Sequence, residues 1–496
     1  MATALSSSRH TPLHAAHRVL IVSPVFPPGL VHGGGVAITF DALTRRLLQR
    51  GADVQVLTPP LDNLDTYCAW MYPGFRMIFP GFGTIAKIWE GIGWADVVVV
   101  PDNTCLPFIG TMCRIRGTPL LYDIHTNIMT MLQSGGNIPW MPPCLPWIID
   151  KWLAVRPHCY HAPLVHVPAA ASSSSSSSSS ALTRSALSRS PLISLTQLGS
   201  HLSTQTFTTS PSYAADARLR GYRVNGAFSP RIKTAIFEDD NDTPAQIAAA
   251  RDFLTCGHPE RPILIHASRL SAEKRIEMLI AAKPAGSTVA IVGDGPQRDE
   301  LMALHDPARG VCVHVGMVPQ HRLRVFYKAA DLLVSASKFE TLGMTVIEAQ
   351  LCGTPAVVQN AAGFVTQIDH ERNGLLTDYD DAMSARRDIE HVLDLNLSAA
   401  DVKATMKTGS WTTGLPQLDN VVDEVAATPT KKMGIVTFAL CAPLIAIVWL
   451  VQLLFVYLLL AACKVNRGKD SKRAVMSPER MHALSLQREV IPEHNR

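Results

Sequence analysis

The sequence predicts an α/β protein: two Rossmann-like domains facing a cleft, followed by a C-terminal transmembrane helix. Three observations carry this. Apolar runs of strand length alternate with helical stretches in both halves. Glycine- and cation-bearing segments follow several of those strands, where open α/β sheets place their ligands. A long uncharged stretch then follows the second half. The 496 residues allow two domains with extensions, and 47% hydrophobic against 17% charged residues leaves apolar surplus beyond two cores.

In chain order, Val19-Leu-Ile-Val-Ser-Pro-Val-Phe-Pro-Pro28 reads as a first strand and loop, and Gly33-Gly-Gly-Val36 leads into a helix expected from Ala37 to Arg50. Gly33, Gly34 and Gly35 would let this loop approach a ligand closely. Further strands are expected in Asp53–Thr58, Asp96–Val100 and Pro119–Thr126, the last placing His125 at a strand end facing the cleft. From Lys151 to Ala215 there is no acidic residue, and Ser172 to Ser180 are nine serines in a row. Such a stretch builds no core, so about 166–203 is expected to be a low-complexity insertion in a first domain spanning 17–225.

Asp239-Asp-Asn-Asp-Thr-Pro244 reads as polar linker, and a second domain is expected over 256–395. Pro262–His266 is its first strand, followed by Ser268-Arg-Leu-Ser-Ala-Glu-Lys274, then Val289-Ala-Ile-Val-Gly-Asp-Gly-Pro296. Asp331–Ser337 and Gly353–Val358 read as buried strands around Glu340-Thr-Leu-Gly-Met-Thr-Val-Ile-Glu348, with a helix from Thr345 to Cys352. Backbone N–H groups of Thr341, Leu342 and Gly343 at that helix start suit a phosphate, and two carboxylates suit hydroxyls. Residues 396–430 would form a crossover helix and linker.

Met433 to Cys463 is thirty-one residues without a charge, long enough for one membrane crossing. The tail from 464 to 496 carries eight Lys or Arg against four Asp or Glu, which accounts for the chain's formal +4. Everything before it is neutral, so no nucleic-acid footprint exists, while the tail suits anionic headgroups. The ten cysteines include no Cys-x-x-Cys, so the two domains are expected in a reducing compartment. The acid-free first forty residues have the composition of a transit peptide. The expected location is therefore a membrane, crossed once near the C-terminus, with the domains facing cytosol or plastid stroma.

Taken together, Arg269, Leu270, Glu273 and Lys274, then Gly293, Asp294, Gly295 and Pro296, then Glu340 and Glu348 resemble the family-4 retaining glycosyltransferases. That resemblance implies the GT-B architecture and a nucleotide-sugar donor, in the first instance a UDP-sugar. It implies His125, Arg269, Lys274 and Glu340 as catalytic positions, with Gly34, Gly35, Gly293, Thr341, Leu342, Gly343 and Glu348 as donor-binding ones. Glu340 would touch the donor sugar and Glu348 the ribose. Two cations aimed at a diphosphate replace a divalent metal, and no metal-ligand spacing is present, so the expectation is metal independence with no cofactor. Ser229–Thr234 and Ala361–Phe364 depart from the family pattern, which bears on the identity of the donor sugar.

A membrane segment gives a reason for a lipid acceptor. Within the family the chain is similar to sulfoquinovosyltransferases, which implies transfer of sulfoquinovose to diacylglycerol. The alternatives are a phosphatidylinositol N-acetylglucosaminyltransferase-like enzyme and a non-catalytic membrane-anchored scaffold with a glycosyltransferase shell.

Overall fold

A computed structural model describes residues 17–24, 34–58, 66–68, 76–78, 82–101, 106–125, 195–229, 234–316, 318–338, 340–408, 415–430 and 432–434, together with 450 and 454. The chain folds around two parallel six-stranded sheets. The first contains β1 (Arg18–Val22), β2 (Asp53–Leu57), β5 (Val97–Pro101), β6 (Leu120–Ile124), β7 (Gln205–Thr208) and β8 (Gly226–Ala227), in the order β2-β1-β5-β6-β7-β8. β3 (Thr66–Cys68) and β4 (Arg76–Ile78) form a separate antiparallel pair. The second sheet contains β9 (Ile263–Ala267), β10 (Thr288–Gly293), β11 (Val311–Val315), β12 (Leu332–Ser335), β13 (Ala356–Gln359) and β14 (Gly374–Thr377), in the order β11-β10-β9-β12-β13-β14.

Each sheet is covered on both faces, so its strands are apolar throughout. In β1, Leu20 and Val22 enter one core while Val19 and Ile21 enter the other. This is the alternation of a pleated strand. Each sheet also changes winding direction once, between β1 and β5 and between β9 and β12. Crevices open at such switch points, at the carboxyl ends of the strands. The loops that leave β9 and β12 therefore begin side by side, although 66 residues separate Lys274 from Glu340.

The Leu418–Ala427 helix returns to the first sheet. Leu418, Val421, Val422 and Val425 lie in the core with Phe40 and Phe228. Asp419 and Asp423 meet Arg50 at 2.9 and 2.6 Å.

Several expectations are corrected. The helix expected from Ala37 starts at Gly34 and runs to Gln49, so Gly34 and Gly35 form its first turn; Gly33 lies outside the described residues. The low-complexity insertion does not extend to 203, because Leu195–Leu202 is a helix of the first domain. It approaches the Leu106–Arg116 helix through glycines: Gly199 faces the Leu106 side chain, and Leu202 lies over Gly110. A serine-rich composition concealed this, yet Ser200 and Ser203 satisfy their hydroxyls on the carbonyls of Gln197 and Ser200. The rest of the serine run falls outside the described residues.

The acidic linker is part of the second domain. Asp242 meets Arg324 and Lys328, and Asp240 meets Lys403 at 2.8 Å. Phe237 and Leu254, from helices Thr234–Glu238 and Pro244–Leu254, are already buried in the second core. Among the described residues no helix is long and apolar enough to cross a membrane. The 433–463 segment lies outside them apart from Met433, Gly434, Leu450 and Leu454.

Candidate active site

Two loops of the second domain meet at its switch point. After β9, Ser268–Leu270 passes so close to the β10 turn that a Cβ on Gly293 would stand 1.9 Å from the Ser268 carbonyl oxygen, and one on Gly295 2.3 Å from that of Leu270. Leu270 N–H donates to the Asp294 carbonyl at 3.0 Å. Gly293 thus acts by letting backbones touch. The loop then delivers Lys274, whose Nζ contacts a carboxylate oxygen of Glu340, each side chain about one-fifth exposed. Arg269 turns toward Glu273 at 3.1 Å. Against burial, which pushes the Glu273 carboxyl up, Arg269, the Ser271 hydroxyl and Lys274 hold it below its ordinary value.

His266 in β9 supports this loop, a role that its place in an apolar run did not signal. Its Nδ1 donates to the Val334 carbonyl at 2.8 Å, and Nε2 accepts from the Ser268 hydroxyl at 2.8 Å. Burial pushes its imidazole down to about 4, so the ring beside Lys274 is neutral.

Glu340 belongs to a loop backed by another turn. Gly363 N–H donates to the Glu340 carbonyl at 3.0 Å, and a Cβ on Gly363 would stand 2.4 Å from that oxygen. Within Ala361-Ala-Gly-Phe364, position 363 therefore has no room for a side chain, while Phe364 is buried in the second core. The departure at Ser229–Thr234 lies largely outside the described residues. Gly343 has φ +82°, a left-handed value that glycine adopts freely, and no side chain caps the Met344–Leu351 helix that follows. Anions suit such a helix start.

The predicted neighbours of Gly343 do different work. Leu342 is 3% exposed, with its side chain in the second core. Thr341 ties the domains together: its hydroxyl donates to the His125 carbonyl at 2.9 Å, and its carbonyl accepts from the Ser210 hydroxyl at 2.7 Å. Ser212 donates to the Ala362 carbonyl beside them. Ser210 and Ser212 were not foreseen; they sit at the end of β7 and the start of the Pro211–Leu219 helix, where hydroxyls usually only cap.

His125 follows β6 directly. Its Nδ1 is 3.0 Å from Asp123 Oδ2, and a Cβ on Gly35 would stand 3.3 Å from its Nε2 and 3.5 Å from the Met344 side chain. The structure thus gathers Gly35 and His125 of the first domain with Thr341, Gly343 and Met344 of the second, and Lys274 with Glu340. Arg269 and Gly293 occupy the adjoining loop. Glu348 is set apart, 5% exposed in the Met344–Leu351 helix and accepting from the Tyr327 hydroxyl at 3.3 Å. Among the described residues no group of His, Cys, Asp and Glu gathers that would hold a metal.

Residues 257–408, which hold both loops, match the family described as glycosyl transferases group 1. They form a group 1 glycosyltransferase domain. The chain is similar to a sulfoquinovosyl transferase of Arabidopsis thaliana, 34% identical over 125 residues, but the shared stretch is only 24% of each protein. A D-inositol 3-phosphate glycosyltransferase of Mycolicibacterium smegmatis is 25% identical over 409 residues, covering 79% of this chain and 86% of that protein. Among solved structures, Anabaena HepE in complex with UDP-glucose matches 83% of this chain and 98% of its own at a TM-score of 0.50 and 16% identity, a likeness of fold.

Within the group 1 domain, burial pushes the Glu348 carboxyl up to about 7, with the Tyr327 hydroxyl pulling the other way. The folded state therefore binds a proton that the unfolded chain has released between about pH 4.5 and 7. The contribution to stability is fully present below the unfolded value and is lost as pH rises through about 7. Glu348→Gln should accordingly raise the melting temperature at pH 8, by a free energy of roughly 3 kcal/mol, and leave it unchanged at pH 4. Melting curves at both pH values check this; equal effects at both would remove the titration account.

Proposed function

We propose that this protein is a membrane-anchored retaining glycosyltransferase that moves a sugar from a nucleoside diphosphate sugar, in the first instance a UDP-sugar, to a lipid acceptor. The observation that carries the reading is the meeting of Lys274 and Glu340 at the second switch point, beside a glycine-started helix and under His125. Departure of a nucleoside diphosphate builds negative charge, and fixed cations and backbone N–H groups stabilise such charge most where water is excluded. Lys274, with Arg269 beside it, would meet the diphosphate, and Gly343 opens the helix start toward it. An arriving diphosphate competes with Glu340 for Lys274, which frees the carboxylate to accept from a sugar hydroxyl. We assign no metal to this chemistry.

The finer reading, transfer of sulfoquinovose to diacylglycerol, is supported by the partial likeness to the Arabidopsis sulfoquinovosyl transferase. The lipid acceptor and the single crossing rest on the uncharged 433–463 stretch, and the reducing side, cytosol or plastid stroma, on the cysteine pattern. HepE, of the same fold, was solved with UDP-glucose, which makes that donor the first to try.

The test uses the detergent-solubilised full chain with UDP-glucose, UDP-sulfoquinovose or UDP-N-acetylglucosamine, plus diacylglycerol or phosphatidylinositol, with and without EDTA. Release of UDP together with a glycolipid, unchanged by EDTA, is the expected result. A product on phosphatidylinositol alone would shift the assignment to the N-acetylglucosaminyltransferase-like alternative. Binding of UDP-sugars without turnover would overturn catalysis and favour the scaffold.

A further inference from the structure

Asp123 is wholly buried in β6, where an apolar residue would serve the core better. One carboxylate oxygen, Oδ2, lies 3.0 Å from His125 Nδ1. The other, Oδ1, is buried and has no hydrogen-bond partner among the described residues. A buried carboxylate left half unpaired is costly. Burial raises its pKa, and His125 is the group that pulls it back down. Among the described residues the imidazole is thus the hydrogen-bond partner of an expensive group, at a strand end.

His125 is also held from the opposite side, since the Thr341 hydroxyl donates to its carbonyl at 2.9 Å. With backbone and Nδ1 both engaged, Nε2 is the atom turned toward Gly35, whose missing side chain leaves room there. A carboxylate only accepts, so Nδ1 carries the proton, and in a neutral ring Nε2 then presents a lone pair.

We propose that Asp123 is a positioning residue that holds His125 as the Nδ1–H tautomer, so that Nε2 accepts a hydrogen bond from a hydroxyl of the sugar in the cleft. The role at the sugar rests on the glycosyltransferase reading; the tautomer does not. It sets His125 apart from Arg269 and Lys274, which donate toward phosphate, and makes it a reader of hydroxyls.

The experiment has two arms on the full chain. In the first, protein labelled with 15N-histidine is compared with His125→Gln to assign the ring signals. The wild type should show the Nδ1–H tautomer, and Asp123→Ala should shift it toward Nε2–H. In the second, UDP release from UDP-glucose is followed. Asp123→Ala should lower kcat by roughly 10- to 100-fold, by analogy with the loss when a metal-bound imidazole is deprived of the carboxylate that orients it, with little change in KM. Asp123→Asn, which keeps an acceptor oxygen, should lose less. In a His125→Ala background the Asp123 changes should cost nothing further.

An Nε2–H tautomer in the wild type, or equal losses with and without His125, would overturn the proposal. If the wild type neither binds UDP nor releases it, the glycosyltransferase reading fails while the ring signals still decide the tautomer. Should Asp123→Ala not fold, the wild-type tautomer and Asp123→Asn carry the comparison.

Discussion

Lys274→Met is expected to lower sugar transfer by roughly 10²- to 10³-fold, the loss typical of removing one group aimed at charge that develops in a transition state. Lys274 holds this position because the loops leaving β9 and β12 start on adjacent strands, and its Nζ reaches Glu340 across them. The substitution removes the cation that would meet the leaving diphosphate and leaves the Glu340 carboxylate without that partner. Stability should change by no more than about 1 kcal/mol, because the pair is partly exposed and Glu340 keeps access to water. Lys274→Arg should recover part of the rate, since charge is kept while the stem and head differ. The assay is UDP release and glycolipid formation, with a melting curve for each variant. A Lys274→Met protein that folds and turns over within a few-fold of wild type would remove Lys274 from the chemistry.

Gly293→Ala should produce the largest structural effect. The residue has φ +149°, and an added Cβ would lie 1.9 Å from the Ser268 carbonyl oxygen, a backbone atom that no rotamer change can move. Ser268 N–H donates to the Val292 carbonyl at 3.1 Å and Leu270 to that of Asp294 at 3.0 Å, so the two segments cannot separate without losing hydrogen bonds. A cost of about 3–4 kcal/mol, at the upper end for single substitutions, follows. That corresponds to a fall in melting temperature of roughly 8 °C or more for a domain of this size. Donor binding should fall too, because the displaced segment carries Arg269 and leads to Lys274. Differential scanning calorimetry and UDP titration measure the two effects. An unchanged melting point would show that the β9 and β10 loops do not approach as closely as described.

Much of this architecture was legible without coordinates. Parallel strands covered on both faces must be apolar at every position, and runs such as Val97–Val100, Ile263–Ile265 and Leu332–Val334 stand out for that reason. The candidate residues were legible as a motif, since Arg269, Lys274, Glu340 and Gly343 fall beyond strand ends and Gly293 is the last residue of its strand. Helix boundaries were less so. Glycine disfavours helix interiors, and the start at Gly34 is one that propensity argues against. Serine-rich composition likewise hid the helix Leu195–Leu202, which forms because Gly199 and Gly110 let two helices approach, a gain that exists only once both are in place.

The sequence by itself determined the α/β class with two parallel sheets, the place of His125, Arg269, Lys274 and Glu340 beyond strand ends and the uncharged C-terminal stretch, because these depend on local pattern alone. Only the tertiary structure decided which of those residues meet. It set Lys274 against Glu340, Asp123 against His125, and Ser210 and Thr341 across the two domains. It also withdrew Glu348 into the second core beside Tyr327. The pairings between loops follow from strand order and the winding reversal in each sheet, which bring distant segments together through long-range packing, whereas Asp123 and His125, two residues apart, meet by the alternation of the strand they end.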